Sequence, residues 1–136
     1  MGKTVIITDS TADLTKDLLD KYQIEVIPLC IVMDDKSYFD GIDVTPEEII
    51  AWSDKNKTTP KTAAAGIEEA MEHLRPHKEA GDDVIYIGIS EDMSTTCNVI
   101  RLAAQDLEYE RVFVINSMNL STGIGLQVLR AAEMRD

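Results

Sequence analysis

The sequence predicts an α/β fold: a parallel sheet of about four strands with helices on both faces and a small hairpin-like extension after the second strand. Two observations predict it. Short apolar and β-branched runs at VII (5–7), EVIPLCIVM (25–33), DVIYIGIS (83–90) and RVFVIN (111–116) alternate with segments of helical period, and alternation of this kind calls for crossover helices between parallel strands. A hydrophobic content of 44% beside 28% charged residues also supplies one core and one solvated exterior over 136 residues; a chain of this length buries roughly two thirds of its unfolded surface.

Each element has a local cause. Val5, Ile6 and Ile7 form the first strand, and TDSTADLT follows with turn formers and caps ahead of the helix KDLLDKY. EVIPLCIVM is too β-rich and too short for a helix and reads as a second strand ending near Met33, with MDDKSYFDG turning into the small extension. Thr45, Pro46 and Glu48 occupy N-cap, N1 and N3, a capping box that starts the helix EEIIAWSDK. NKTTPKT is a polar loop, and Thr62 is the expected N-cap of a helix through AAAGIEEAMEHL, with Ile67, Met71 and Leu74 on one face. Pro76 and Gly81 are expected to stop it. DVIYIGIS is a buried third strand, Ser94 the expected cap of the helix STTCNVIRLAAQDL, RVFVIN the fourth strand, and GIGLQVLRAAEMRD a last helix.

Composition excludes several functions. Thirteen basic against 25 acidic residues give a net charge of −12 and a pI near 4.4, the opposite of the basic patch that nucleic acids or anionic membranes require. The longest apolar run, Val26 to Met33, is eight residues, against about 20 for a membrane-spanning helix. MGKTVIITDS has no apolar h-region with a cleavage site, and Ile6 stands where a myristoylation signal takes Ser or Thr; a cytoplasmic protein is expected. Cys30 and Cys97 form no CxxC pair, which points to reduced thiols and to neither a disulfide framework nor a cysteine metal site.

Ligands of parallel α/β sheets sit outside the carboxyl ends of the strands. The loops there are TDST, SEDMST and NSMNLST, and NKTTPKT is positioned to reach the same edge. All are rich in Ser and Thr. Helix N-termini with free N–H groups favour a small anion such as a carboxylate, and the hydroxyls of Thr62, Ser94 and Ser121 add donors; the same hydroxyls also serve simply as caps. Asp9, after the first strand, either braces the loops or acts as a base.

His73 and His77 lie four apart but lack a zincin's glutamate, so they read as a solvated helical face, and no metal is expected. Gly123 and Gly125 lack the third glycine of a dinucleotide site and read as close-packing positions; no P-loop motif is present, so no cofactor is expected. Both histidines are mid-helix, away from the strand ends, which disfavours a Ser-His-Asp hydrolase and phosphohistidine transfer, and no catalytic residue is assigned.

ITDSTADL, VIPL, YFDGIDVTPEE, the PKT loop, IGISEDMSTT and VINSMNLSTGIGL occur in this order along essentially the whole chain. In that order and spacing the sequence resembles DegV-family proteins. The resemblance implies a bacterial, two-domain lipid carrier that binds a long-chain fatty acid. Some members present the acid to a partner kinase, which phosphorylates the carboxylate with ATP for phospholipid synthesis; the carrier itself is then not an enzyme.

The resemblance assigns carboxylate binding to Thr62 and to Ser94 with Thr96, and includes Thr8, Asp9 and Ser10 as a family element at the same edge. Three positions depart from the family pattern. Ala63 stands for a serine and removes a donor, Thr95 stands for a glycine and adds a β-branched side chain, and Asn116 stands for an aspartate. The resemblance leads us to expect that residues 1–136 correspond to the family's N-terminal domain, with the second family domain absent. That domain would line the rest of an acyl tunnel and carry basic residues for the kinase, and without it uncovered apolar surface should favour self-association. Two alternatives remain: a domain without ligand binding of its own, and an enzyme acting on a small anion with Asp9 as base.

Overall fold

A computed structural model describes residues 2–136. Four strands, β1 (Thr4–Asp9), β2 (Ile24–Ile27), β6 (Asp83–Gly88) and β7 (Val112–Asn116), pair in parallel in the order β2-β1-β6-β7. Three more, β3 (Cys30–Met33), β4 (Lys36–Phe39) and β5 (Lys61–Ala63), form a separate antiparallel sheet in the order β4-β3-β5. The helices are α1 (Lys16–Tyr22), α2 (Pro46–Asn56), α3 (Ile67–Ala80), α4 (Thr96–Asp106) and α5 (Thr122–Arg135), and Ser10–Ala12 form a 3-10 turn.

Both faces of the parallel sheet are covered, so its central strands are nearly all apolar. On one face Val5, Ile7, Val84 and Tyr86 pack with Ala70 and Leu74 of α3 and Ile100 and Ala103 of α4. On the other, Ile6, Ile24 and Ile87 pack with Ile124, Val128 and Ala132 of α5, with Leu19 of α1 beside them. The small sheet has its own cluster of Ile31, Met33 and Val44 under Ile49 and Trp52 of α2. A Cβ placed on buried Gly125 would lie 2.9 Å from the Ala12 carbonyl oxygen, so the glycine lets α5 approach the 3-10 turn. No helix among the described residues is long and apolar enough to cross a membrane.

Four expectations are corrected. EVIPLCIVM is not one strand: β2 ends at Ile27 and β3 starts at Cys30 in the other sheet. Pro28 has no N–H to give a ladder, and the Leu29 N–H is taken by Ser10 Oγ at 3.1 Å. The extension is a hairpin, β3 with β4, but a third strand joins it, because Thr62 of β5 pairs with Ile31 of β3 rather than capping a helix. The N-cap of α3 is Gly66, which has no side chain to cap with.

Pro76 does not end α3, which continues to Ala80. A proline one turn from the end forfeits one bond to an exposed turn, and Gly81 then closes the helix in the left-handed conformation, its N–H on the Lys78 carbonyl and that of Asp82 on His77. His77 is not on a solvated face: Nε2 meets Glu25 of β2 at 2.7 Å and Nδ1 meets Asp82 at 2.8 Å. His73, only partly buried, lies 3.3 Å from Glu69 one turn away.

Candidate functional site

Because β1, β6 and β7 run parallel, their carboxyl ends share one edge, and β5 approaches that edge from the small sheet. A cleft of about 490 Å³ opens between them. Thr62, Ala63 and Ala64 form one wall, Met93, Ser94 and Thr95 the other, with Thr11, Leu29, Ile89 and Leu120 completing the lining. Leu29 and Ile89 are buried, whereas Met93 and Leu120 are 58% and 44% exposed at the mouth. No charged side chain lines the cleft. The arrangement suits an apolar chain ending in a group that hydroxyls and N–H donors can hold.

Ser94 does not sit at the N-cap of α4; Thr95 does, and it makes no side-chain cap. Ser94 Oγ instead accepts the Thr96 N–H at 3.2 Å and lies 2.8 Å from the Thr96 hydroxyl. Thr96 is fully buried behind it, so it orients Ser94 rather than facing the cleft. Ser94 thus takes the first N–H of α4 while the Thr95 side chain caps none, at the positive end of the helix dipole.

The remaining predicted residues brace this edge. Asp9 is fully buried: Oδ1 accepts from the Thr11 N–H at 2.9 Å and the Thr11 hydroxyl at 2.5 Å, and Oδ2 from the Ile89 N–H at 2.8 Å and the Tyr86 hydroxyl at 3.3 Å. Four donors on one carboxylate tie β1 to the loop after β6 and leave no free oxygen for a general base. Thr8 donates to the Ile87 carbonyl at 2.7 Å, and Ser10 holds the break between β2 and β3.

Ser121, the N-cap of α5, donates to Asp13 at 2.6 Å while its backbone sits at φ 56° and ψ −130°, a strained conformation for a residue with a Cβ. Asn116 Oδ1 accepts from the Glu91 and Met118 N–H groups and so ties two loops together. Burial, with Glu91 adding to it, pushes the Cys97 thiol up to about 11, so Cys97 is an unreactive packing residue.

Thr11 and the apolar lining were not singled out from sequence. Their signal was there: Met93 and Leu120 are apolar residues inside otherwise polar loops, and Thr11 closes the TDST run.

The family model described as "Uncharacterised protein, DegV family" matches residues 3–136. The chain belongs to the DegV family. A DegV domain-containing protein of Clostridium perfringens is 37% identical over 134 residues, covering 98% of this chain and 48% of the relative. The chain thus spans about half the length of the curated DegV relatives it matches.

Among solved structures, a DegV protein from Thermus thermophilus, described in terms of its fatty acid binding, superposes with a TM-score of 0.87 at 32% identity over 97% of this chain and 47% of that one. A stearic acid-binding protein from Eubacterium ventriosum gives 0.86 at 28% identity, over 98% and 47%. DegV of Bacillus subtilis, described as a fatty acid binding protein, gives 0.91 at 25% identity, over 98% and 48%.

Proposed function

We propose that this chain is a fatty-acid-binding carrier domain of the cytoplasm, without catalysis of its own, that holds a long-chain acyl carboxylate for a separate fatty acid kinase. The observation that carries the reading is the cleft itself: Thr62 of β5 and Ser94 of the loop between β6 and α4 face one space whose other walls are Leu29, Ile89, Met93 and Leu120. The Ser94 hydroxyl, backed by Thr96, and the first-turn N–H groups of α4 hold the carboxylate, Thr62 closes on it from β5, and the apolar walls take the start of the acyl chain. Relatives described as fatty acid binding proteins support the ligand class; the kinase partner rests on the family resemblance. Since those relatives are about twice as long, the rest of the acyl chain lies against a second domain, and without one the uncovered apolar surface self-associates.

Native mass spectrometry of freshly purified protein, followed by denaturation, tests the reading. A released long-chain acid, lost in Ser94→Ala and Thr62→Val variants that still fold, is the expected result. Protein that carries no acid and takes up no added stearate overturns it.

A further inference from the structure

Thr62 and Ser94 can act on one carboxylate only if the two walls that carry them are held in register. The Ser94 wall follows β6 of the parallel sheet, whereas the Thr62 wall hangs from the small sheet. The chain leaves the core of the parallel sheet at Ile27 and rejoins it at Ala65, both buried in one cluster. Between them the small sheet builds its own core of Ile31, Met33 and Val44. Among the described residues, one hydrogen bond joins residues 29–64 to the rest of the chain: Ser10 Oγ accepts the Leu29 N–H at 3.1 Å. Leu29 is buried, and Pro28 before it ends the ladder of β2, so its N–H needs an acceptor that strand pairing does not supply.

We propose that Ser10 is a positioning residue: by holding Leu29 it fixes the small sheet, and with it Thr62, opposite Ser94. Ser10 is not among the residues that line the cleft, so it acts through Leu29, which does. Leu29 immediately precedes β3, and Ile31 of β3 pairs with Thr62. The neighbouring Asp9 performs the same task for the other wall. Its carboxylate accepts the Ile89 N–H at 2.8 Å, and one residue further the Ser90 carbonyl accepts the Ser94 N–H at 3.1 Å. Two consecutive residues after the first strand thus set the separation of the walls, and Thr11, next in the chain, lies in the cleft between them. The link from Ser10 to the small sheet stands on this geometry alone, while its effect on an acid rests on the carboxylate-binding reading of the cleft.

Two measurements on Ser10→Ala and Ser10→Thr test it. Amide hydrogen exchange needs no ligand: in Ser10→Ala, Leu29 and the amides of β3 and β5 are expected to exchange about threefold faster or more, with β1 and β6 unchanged. Ser10→Thr keeps the accepting oxygen and should restore the original rates. Stearate titration then reads positioning. Ser10→Ala is expected to lower affinity by about tenfold, both alone and in a Ser94→Ala background, but to have no further effect in Thr62→Val, because Thr62 is the group it places. A general loss of stability would instead lower affinity alike in all three backgrounds, and that result overturns the proposal. So does exchange at Leu29 and the small sheet that Ser10→Ala leaves unchanged or, should that variant not fold, a Leu29 amide unprotected in the original protein. A protein that binds no stearate at all overturns the carboxylate reading, and the exchange rates still decide whether Ser10 holds the small sheet.

Discussion

The two ends of the parallel sheet are built from different chemistry. At the amino end charge is committed: His77 joins Glu25 to Asp82, Asp82 also accepts the Lys3 N–H at 2.9 Å, Arg111 pairs with Asp83 at 2.6 Å, and the Tyr109 hydroxyl donates to the Asp82 carbonyl at 2.7 Å. At the carboxyl end the cleft is lined by hydroxyls, alanines and larger apolar side chains, with no charged group among them. The amino end closes on itself with ion pairs, whereas the carboxyl end opens into a cleft of hydroxyl and apolar side chains. Asp9 is the exception that holds the open end together, and removing it would have the largest effect. In Asp9→Ala the Ile89 and Thr11 N–H groups lose their acceptor inside the protein; each stranded donor costs about 1–3 kcal/mol, for a total of about 3 kcal/mol or more. Urea denaturation measures this, and a loss below about 1 kcal/mol would mean the brace is dispensable.

The closed end answers to pH. The Lys3 N–H, and after it the His77 ring, hold the Asp82 carboxyl below the ordinary aspartate value of 3.8. A carboxyl with a lower pKa folded than unfolded binds fewer protons in the native state, so its contribution is complete above 3.8 and is lost as the pH falls through the lower folded value. Melting temperature is therefore expected to drop on acidification below that point, and Asp82→Asn to flatten the drop while lowering stability near neutrality. Identical acid limbs in the two proteins would remove Asp82 from the account.

Legibility in the sequence divides along the same line as the chemistry. The parallel strands and the α2 capping box, where Thr45 Oγ accepts the Glu48 N–H at 3.2 Å, follow from local signals of period and cap. What escaped depended on partners distant in sequence. Pro28 was visible as a proline, but that it sends the chain into a second sheet depends on Ser10, 19 residues earlier, holding Leu29. Thr62 had the look of a cap because alanines follow it, yet pairing with β3 outweighed their helix propensity until Gly66. His77 lost its solvated face to a glutamate 52 residues away. The hydroxyl loops, by contrast, were legible as a set, since parallel topology alone brings strand ends to one edge.

The smallest stability effects are expected where the binding effects are greatest. Thr62 is exposed on β5, and Thr62→Val keeps the β-branched shape that a strand favours; stability should change by no more than about 0.5 kcal/mol. Ser94→Ala removes an acceptor from the Thr96 N–H at the start of α4 and should cost about 1 kcal/mol. Binding of stearate should respond more strongly, because a hydrogen bond to a charged carboxylate is worth about 1.5–3 kcal/mol, roughly tenfold or more in affinity. Side chains that the fold hardly needs but the ligand does would be the mark of an edge left open for binding. Titration of both variants with stearate, alongside their urea midpoints, separates the outcomes. Affinity that falls only as far as stability does would make Thr62 and Ser94 ordinary surface residues, and the open end of the sheet would then differ from the closed one in composition alone.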